Sequence, residues 1–181
     1  QLEQANTARN QALAAFMAAC KHSPKPELLL LSTAQLAHML GEDSIAIQFY
    51  KRAHVENPQD SRSSFFIAQM NMLAKNWDKA DLWIQRSLTR DEKEPLALLS
   101  SALIKAELGN LEEAVILAKK GCAIRPKDFN LRLLQARVLR IALKPTHALE
   151  ILAALPEPLR SSKIATEERK QCVRLLEENN Q

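Results

Sequence analysis

Residues 27–60 read ELLLLSTAQLAHMLGEDSIAIQFYKRAHVENPQD, and the alanines Ala34 and Ala46 in this stretch return at fixed spacing through the rest of the chain. Ala34, Ala68, Ala102 and Ala136 form one series at a constant interval; Ala46, Ala80, Ala114 and Ala148 form a second with the same interval, each member equally far beyond its counterpart in the first. A period of about 20–50 residues marks a stacked repeat, in which each unit buries its apolar face only against its neighbours. Such arrays present elongated binding surfaces rather than reactive pockets.

Counted from Glu27, the windows 27–60, 61–94, 95–128 and 129–162 are equal in length and match this interval, with the alanines at positions 8 and 20 of each. A small side chain recurring in both halves of a window is what two antiparallel helices need where they cross most closely. Gly41 and Gly109 stand between the halves at position 15, where an open backbone lets the first helix stop. Asn110 follows as an expected N-cap, with Glu113 completing a capping-box spacing, and Asn76 is placed equivalently before Trp77. In the last window Lys144-Pro145 replaces the glycine turn.

Pro58 and Pro126, at position 32, end the second helix of their windows, and Pro24 occupies the same slot one period earlier. Reading back from Pro24, Ala12, Phe16 and Ala19 match positions 20, 24 and 27, so residues 1–23 are expected to hold the second helix of a preceding, partial repeat. The array is expected to continue upstream in a longer chain. After Pro156 and Pro158 the pattern ends, and residues 163–181 read as one more helix, its Ile164, Cys172, Val173, Leu175 and Leu176 available to cap the stack.

Composition agrees with a helical fold. The 181 residues are 46% hydrophobic and 25% charged, rich in Leu and Ala, with only 3 Gly and 8 Pro. No apolar run approaches the ~20 residues of a membrane span, since Leu28 to Leu31 is followed by Ser32 and Thr33. Cys20, Cys122 and Cys172 are odd in number and widely spaced, which disfavours a disulfide framework or zinc site. They read as small packed side chains and favour a reducing cytoplasm slightly; a periplasmic location needs a signal or anchor elsewhere in the chain.

The repeat resembles the tetratricopeptide repeat (TPR), whose signature places small residues at 8, 20 and 27, a large apolar or aromatic residue at 24 and proline at 32. Gly41, Ala46, Tyr50, Ala53 and Pro58 reproduce it most fully, and the similarity covers roughly residues 9 to 158. Lys75, Glu92, Ala118 and Leu155 depart from the signature without breaking its register. The resemblance implies an all-α, right-handed superhelical solenoid of antiparallel helix pairs, a single domain whose first helices line a concave groove through positions 2, 5, 9 and 12. Those positions hold Leu28, Leu31, Gln35 and His38; Arg62, Phe65, Gln69 and Met72; Leu96, Leu99, Leu103 and Ala106; and Asn130, Leu133, Arg137 and Arg140.

Leu31, Gln35 and Gln69 stand where family members that clamp a partner's C-terminal carboxylate carry Lys and Asn, so chaperone-type clamping is not expected. The leucines with Phe65 and Met72 suit apolar anchors of an extended peptide or amphipathic helix, with Gln35 and Gln69 for backbone hydrogen bonds. The expected function is a non-catalytic protein-interaction scaffold, for example within an assembly or secretion apparatus; packing of the same side chains between helices is the competing reading. Arg125, Lys127, Arg132, Arg137, Arg140 and Lys144 gather near the fourth window, although the net charge is only +4, and keep open an alternative in which that end binds RNA or an acidic polysaccharide. Chemistry has little to work with: His22, His38, His54 and His147 share no metal-type spacing, and there is no glycine-rich phosphate loop or G-x-S-x-G turn. No catalytic residue, metal or cofactor is expected.

Overall fold

The computed structural model describes residues 2–23 and 26–179, with the side chains of residues 2–6, 8, 27 and 28 excepted. Pro24 and the side chain of Leu28, both singled out in the sequence, lie outside the described residues. Those described form ten α-helices and no strand: α1 (Leu2–His22), α2 (Pro26–Met39), α3 (Asp43–Glu56), α4 (Ser61–Leu73), α5 (Trp77–Arg90), α6 (Pro95–Glu107), α7 (Leu111–Ile124), α8 (Phe129–Ile141), α9 (Pro145–Ala153) and α10 (Lys163–Glu178). The chain divides into two compact units, residues 1–90 with α1–α5 and residues 91–181 with α6–α10. The period gives no sign of this division, because it runs through residue 90 unchanged.

In the first unit α1 packs on α2, and the hairpins α2–α3 and α4–α5 are joined through α3 against α4. In the second, α6–α7 and α8–α9 form hairpins, α8 packs on both α6 and α7, and α10 covers α9 and α8. The alanines explain the hairpins. All eight members of the two series are 0% exposed, so every first helix meets its second helix across a pair of methyl groups. Position 27 adds a second close approach near the opposite ends of the helices. There Ser87 Oγ donates to the Ser61 carbonyl at 3.0 Å, and a methyl group placed on Gly121 would stand 3.1 Å from the Pro95 carbonyl oxygen and 3.2 Å from Leu99 Cγ.

The turns obey one rule whatever residue is present. Gly41, Lys75, Gly109 and Leu143, all at position 15, take left-handed backbone with φ of 78°, 56°, 87° and 55°. In each, the next amide reaches back to a carbonyl in the last turn of the first helix: Glu42 to Ala37, Asn76 to Asn71, Asn110 to Lys105 and Lys144 to Leu139, at 2.8–2.9 Å. This Schellman closure satisfies the last carbonyls of that helix. The glycine turn expected to be lost at Lys144-Pro145 is therefore kept, one position earlier, by Leu143. The capping expected at Asn110 is not made, since its side chain accepts no cap hydrogen bond; the turn already fixes that amide.

Capping falls instead on the last residue of each window. Asp60 accepts from the Arg62 amide, Glu94 from Leu96, Asp128 from Asn130 and Leu131, and Ser162 from Ala165. Ser162 lies one full period after Asp128, so α10 starts where the first helix of a further repeat would start. Its Ala165, Glu168 and Cys172 are buried at helical spacing, which defines the face laid against α8 and α9.

Candidate functional site

In the first unit the groove positions fall on α2 and α4. Leu31 is 6% exposed and belongs to the core with Leu30, Ala34, Ile67 and Met70. Gln35 is exposed, while Phe65, Gln69 and Met72 are half-buried along one side of α4. Phe65 meets Phe66 edge-on at 5.5 Å, and Phe66 stacks on the buried Tyr50 at 5.0 Å. Burial pushes the Tyr50 phenol up to about 12. Arg62 is exposed but engaged: its guanidinium forks onto both carboxylate oxygens of Asp60, at 2.6–3.0 Å, which also holds Asp60 below its ordinary pKa.

Two apolar side chains outside the expected set stand out. Met39 is 82% exposed and Leu73 66%, each at position 13, at the end of α2 and of α4. The sequence carried a signal for them, since they adjoin position 12 on consecutive first helices and neither belongs to the repeat's small-residue pattern.

In the second unit most of the expected groove is occupied by packing. Leu99 is 1% exposed, Leu133 8% and Leu103 9%, whereas Leu96, at the start of α6, is 40% exposed. Gly121 brings α7 down onto α6, which encloses Leu99. Leu133 belongs to the cluster that includes Ala165 and Cys172 of α10. The basic end is drawn inward as well. Arg140 Nε donates to Glu168 Oε2 at 2.6 Å, Arg137 Nε stands 3.6 Å from Oε1 of the same carboxylate, and Glu168 itself is buried. Arg132 Nε is committed to the Pro126 carbonyl at 3.1 Å.

Burial pushes the Cys122 and Cys172 thiols up, opposite to the shift that makes a nucleophile. Among the described residues no three His, Cys, Asp or Glu side chains are arranged to hold a metal ion, and no helix is long and apolar enough to cross a membrane.

No family profile and no curated protein matches the chain. Solved structures do. A tetratricopeptide repeat protein from Parabacteroides merdae ATCC 43184 superposes with a TM-score of 0.73 at 20% identity, over 97% of this chain and 73% of that one. MamA superposes at 0.66 and 15% identity, over 98% and 94%. YrrB, a TPR protein with an unusual peptide-binding site, superposes at 0.65 and 14% identity, over 90% and 89%.

Proposed function

The chain has the tetratricopeptide-repeat fold, and from that premise we propose that it is a non-catalytic scaffold that holds a peptide or amphipathic helix of a protein partner. The observation that carries this reading is the half-buried row Phe65, Gln69 and Met72 on α4, with Gln35, Met39 and Leu73 exposed on the first helices of the same unit. Phe65, held against Phe66, offers an anchor contact at small entropic cost, and the two glutamine amides offer donors and acceptors to a partner backbone. In the second unit Leu96, Asn130 and the outward part of Arg137 are the expected groove residues that remain accessible. Leu31 is buried in the core of the first unit, and Leu99, Leu103 and Leu133 are buried in the second. YrrB, with its peptide-binding site, is a precedent for this use of the fold.

The anionic-polymer alternative has less to draw on, because Arg137 and Arg140 face Glu168 and Arg132 faces a carbonyl. Salt separates the two readings. Peptides selected on the immobilised chain from a displayed random library should bind with nearly constant affinity between about 50 and 200 mM salt, whereas a complex resting on 6–10 phosphate contacts loses about 10³–10⁵ over that range. Failure to select any peptide, together with steeply salt-dependent retention of RNA, overturns the proposal.

A further inference from the structure

Between the last turns of α3 and α5 in the first unit lies a cleft of about 210 Å³ lined by His54, Pro58, Arg86, Thr89 and Arg90. Its volume is below the ~300–1,000 Å³ of pockets that enclose drug-sized ligands, so it admits a small group. Two of its donors are held in place. The Arg86 guanidinium lies over the Trp83 ring, 4.5 Å from the centroid, which fixes its plane and leaves its N–H edges for an acceptor. The same indole meets the His54 ring edge-on at 5.1 Å, and His54 Nδ1 shares a hydrogen bond with the Ser64 hydroxyl at 3.2 Å, leaving Nε2 for another partner.

Positive charge gathers here without compensation. Among the described residues neither Arg86 nor Arg90 has a carboxylate at ion-pair distance. Burial, then Arg86 and Arg90, lower the His54 proton affinity. A cation in the last helical turn complements the C-terminal dipole; that accounts for Arg90 alone, not for three basic groups around one cleft. Nor does the repeat require them. Arg86 and Arg90 occupy positions 26 and 30 of their window and His54 position 28 of the one before; one period on, these positions hold Lys120, Ile124 and Leu88, and two periods on, Ala154, Pro158 and Cys122.

We propose that this cleft is an oxyanion site that takes a phosphate group, with Arg86 and Arg90 as its charged clamp and His54 Nε2 as a third donor. It lies on second helices, apart from the α4 surface, so its failure leaves the scaffold reading untouched. The test is a titration of the full chain with inorganic phosphate at constant ionic strength, followed by the His54 imidazole resonances. The expected result is a saturable shift, with affinity lowered about tenfold or more in Arg90→Gln and in Arg86→Gln. Arg174→Gln, an exposed arginine paired with Glu178 on α10, should change nothing. A phosphoserine peptide and its unphosphorylated twin separate the sources: tighter binding than inorganic phosphate assigns the group to a peptide, equal binding assigns it to the free anion, and in both cases Arg90 is required. A linear, unsaturated response, full affinity in Arg90→Gln, or an equal loss in Arg174→Gln overturns the proposal.

Discussion

Gly121, Leu143 and His54 show how far a repeat constrains single residues. At Gly121 the constraint is space: a branched side chain there meets the Pro95 carbonyl, so Gly121→Val should cost about 1–3 kcal/mol in urea unfolding, the usual range for overpacking. At Leu143 the constraint is backbone sign. A left-handed conformation costs a side-chain-bearing residue about 1–2 kcal/mol, partly offset by the flexibility glycine adds to the unfolded chain. Leu143→Gly should therefore raise the midpoint of unfolding; a lowered midpoint would mean that the side chain contributes more than its strain. His54 adds a pH dependence. Its pKa in the folded chain is lowered from 6.5, first by burial and then by Arg86 and Arg90, so the unfolded state binds more protons near that pH. Stability should be full above pH 6.5 and decline as pH falls from 6.5 through the lower folded value. Thermal unfolding across that range should show the decline, and His54→Gln should flatten it.

Among the elements, the helices were legible from periodicity and much of their termination was not. The alanine series located both partners of every hairpin because tight crossing admits few residue types. Position 15 was read by the presence of glycine, whereas the structure selects it by conformation, and Lys75 and Leu143 comply without being glycine. Asn110 has the residue type of a cap and makes no cap hydrogen bond, while Asp60, Glu94, Asp128 and Ser162, one at the end of every window, do. Asp60→Ala and Asp128→Ala should each destabilise by about 1 kcal/mol, the usual loss for a side-chain cap. Asn110→Ala should stay within about 0.5 kcal/mol, as expected of a surface change. Equal effects at all three sites would contradict this division of roles. For α10, Glu168 is the element's buried tie to α8, and Glu168→Ala leaves Arg140 without its carboxylate. Amide exchange in α10 should then accelerate ahead of α6 and α7.

At the scale of the molecule, the groove could be named from sequence only as a set of positions. Which of them stay accessible depends on neighbours the period does not encode: Gly121 lowers α7 onto Leu99, and α10 covers Leu133 and draws in Arg137 and Arg140. A leucine at position 5 is thus a core residue, while Phe65 at the same position of its own window remains half-open. The claim that this protein works through the α4 surface is tested most directly by the affinity of a library-selected peptide for Phe65→Asp beside Leu82→Asp. Leu82, 53% exposed on α5, lies outside the proposed surface and serves as the control. Loss of an apolar anchor costs about 2 kcal/mol or more at a hot spot, some thirtyfold in affinity. The account predicts that loss in Phe65→Asp alone, with helicity unchanged in both variants; unaltered binding by Phe65→Asp, or an equal loss in Leu82→Asp, would contradict it.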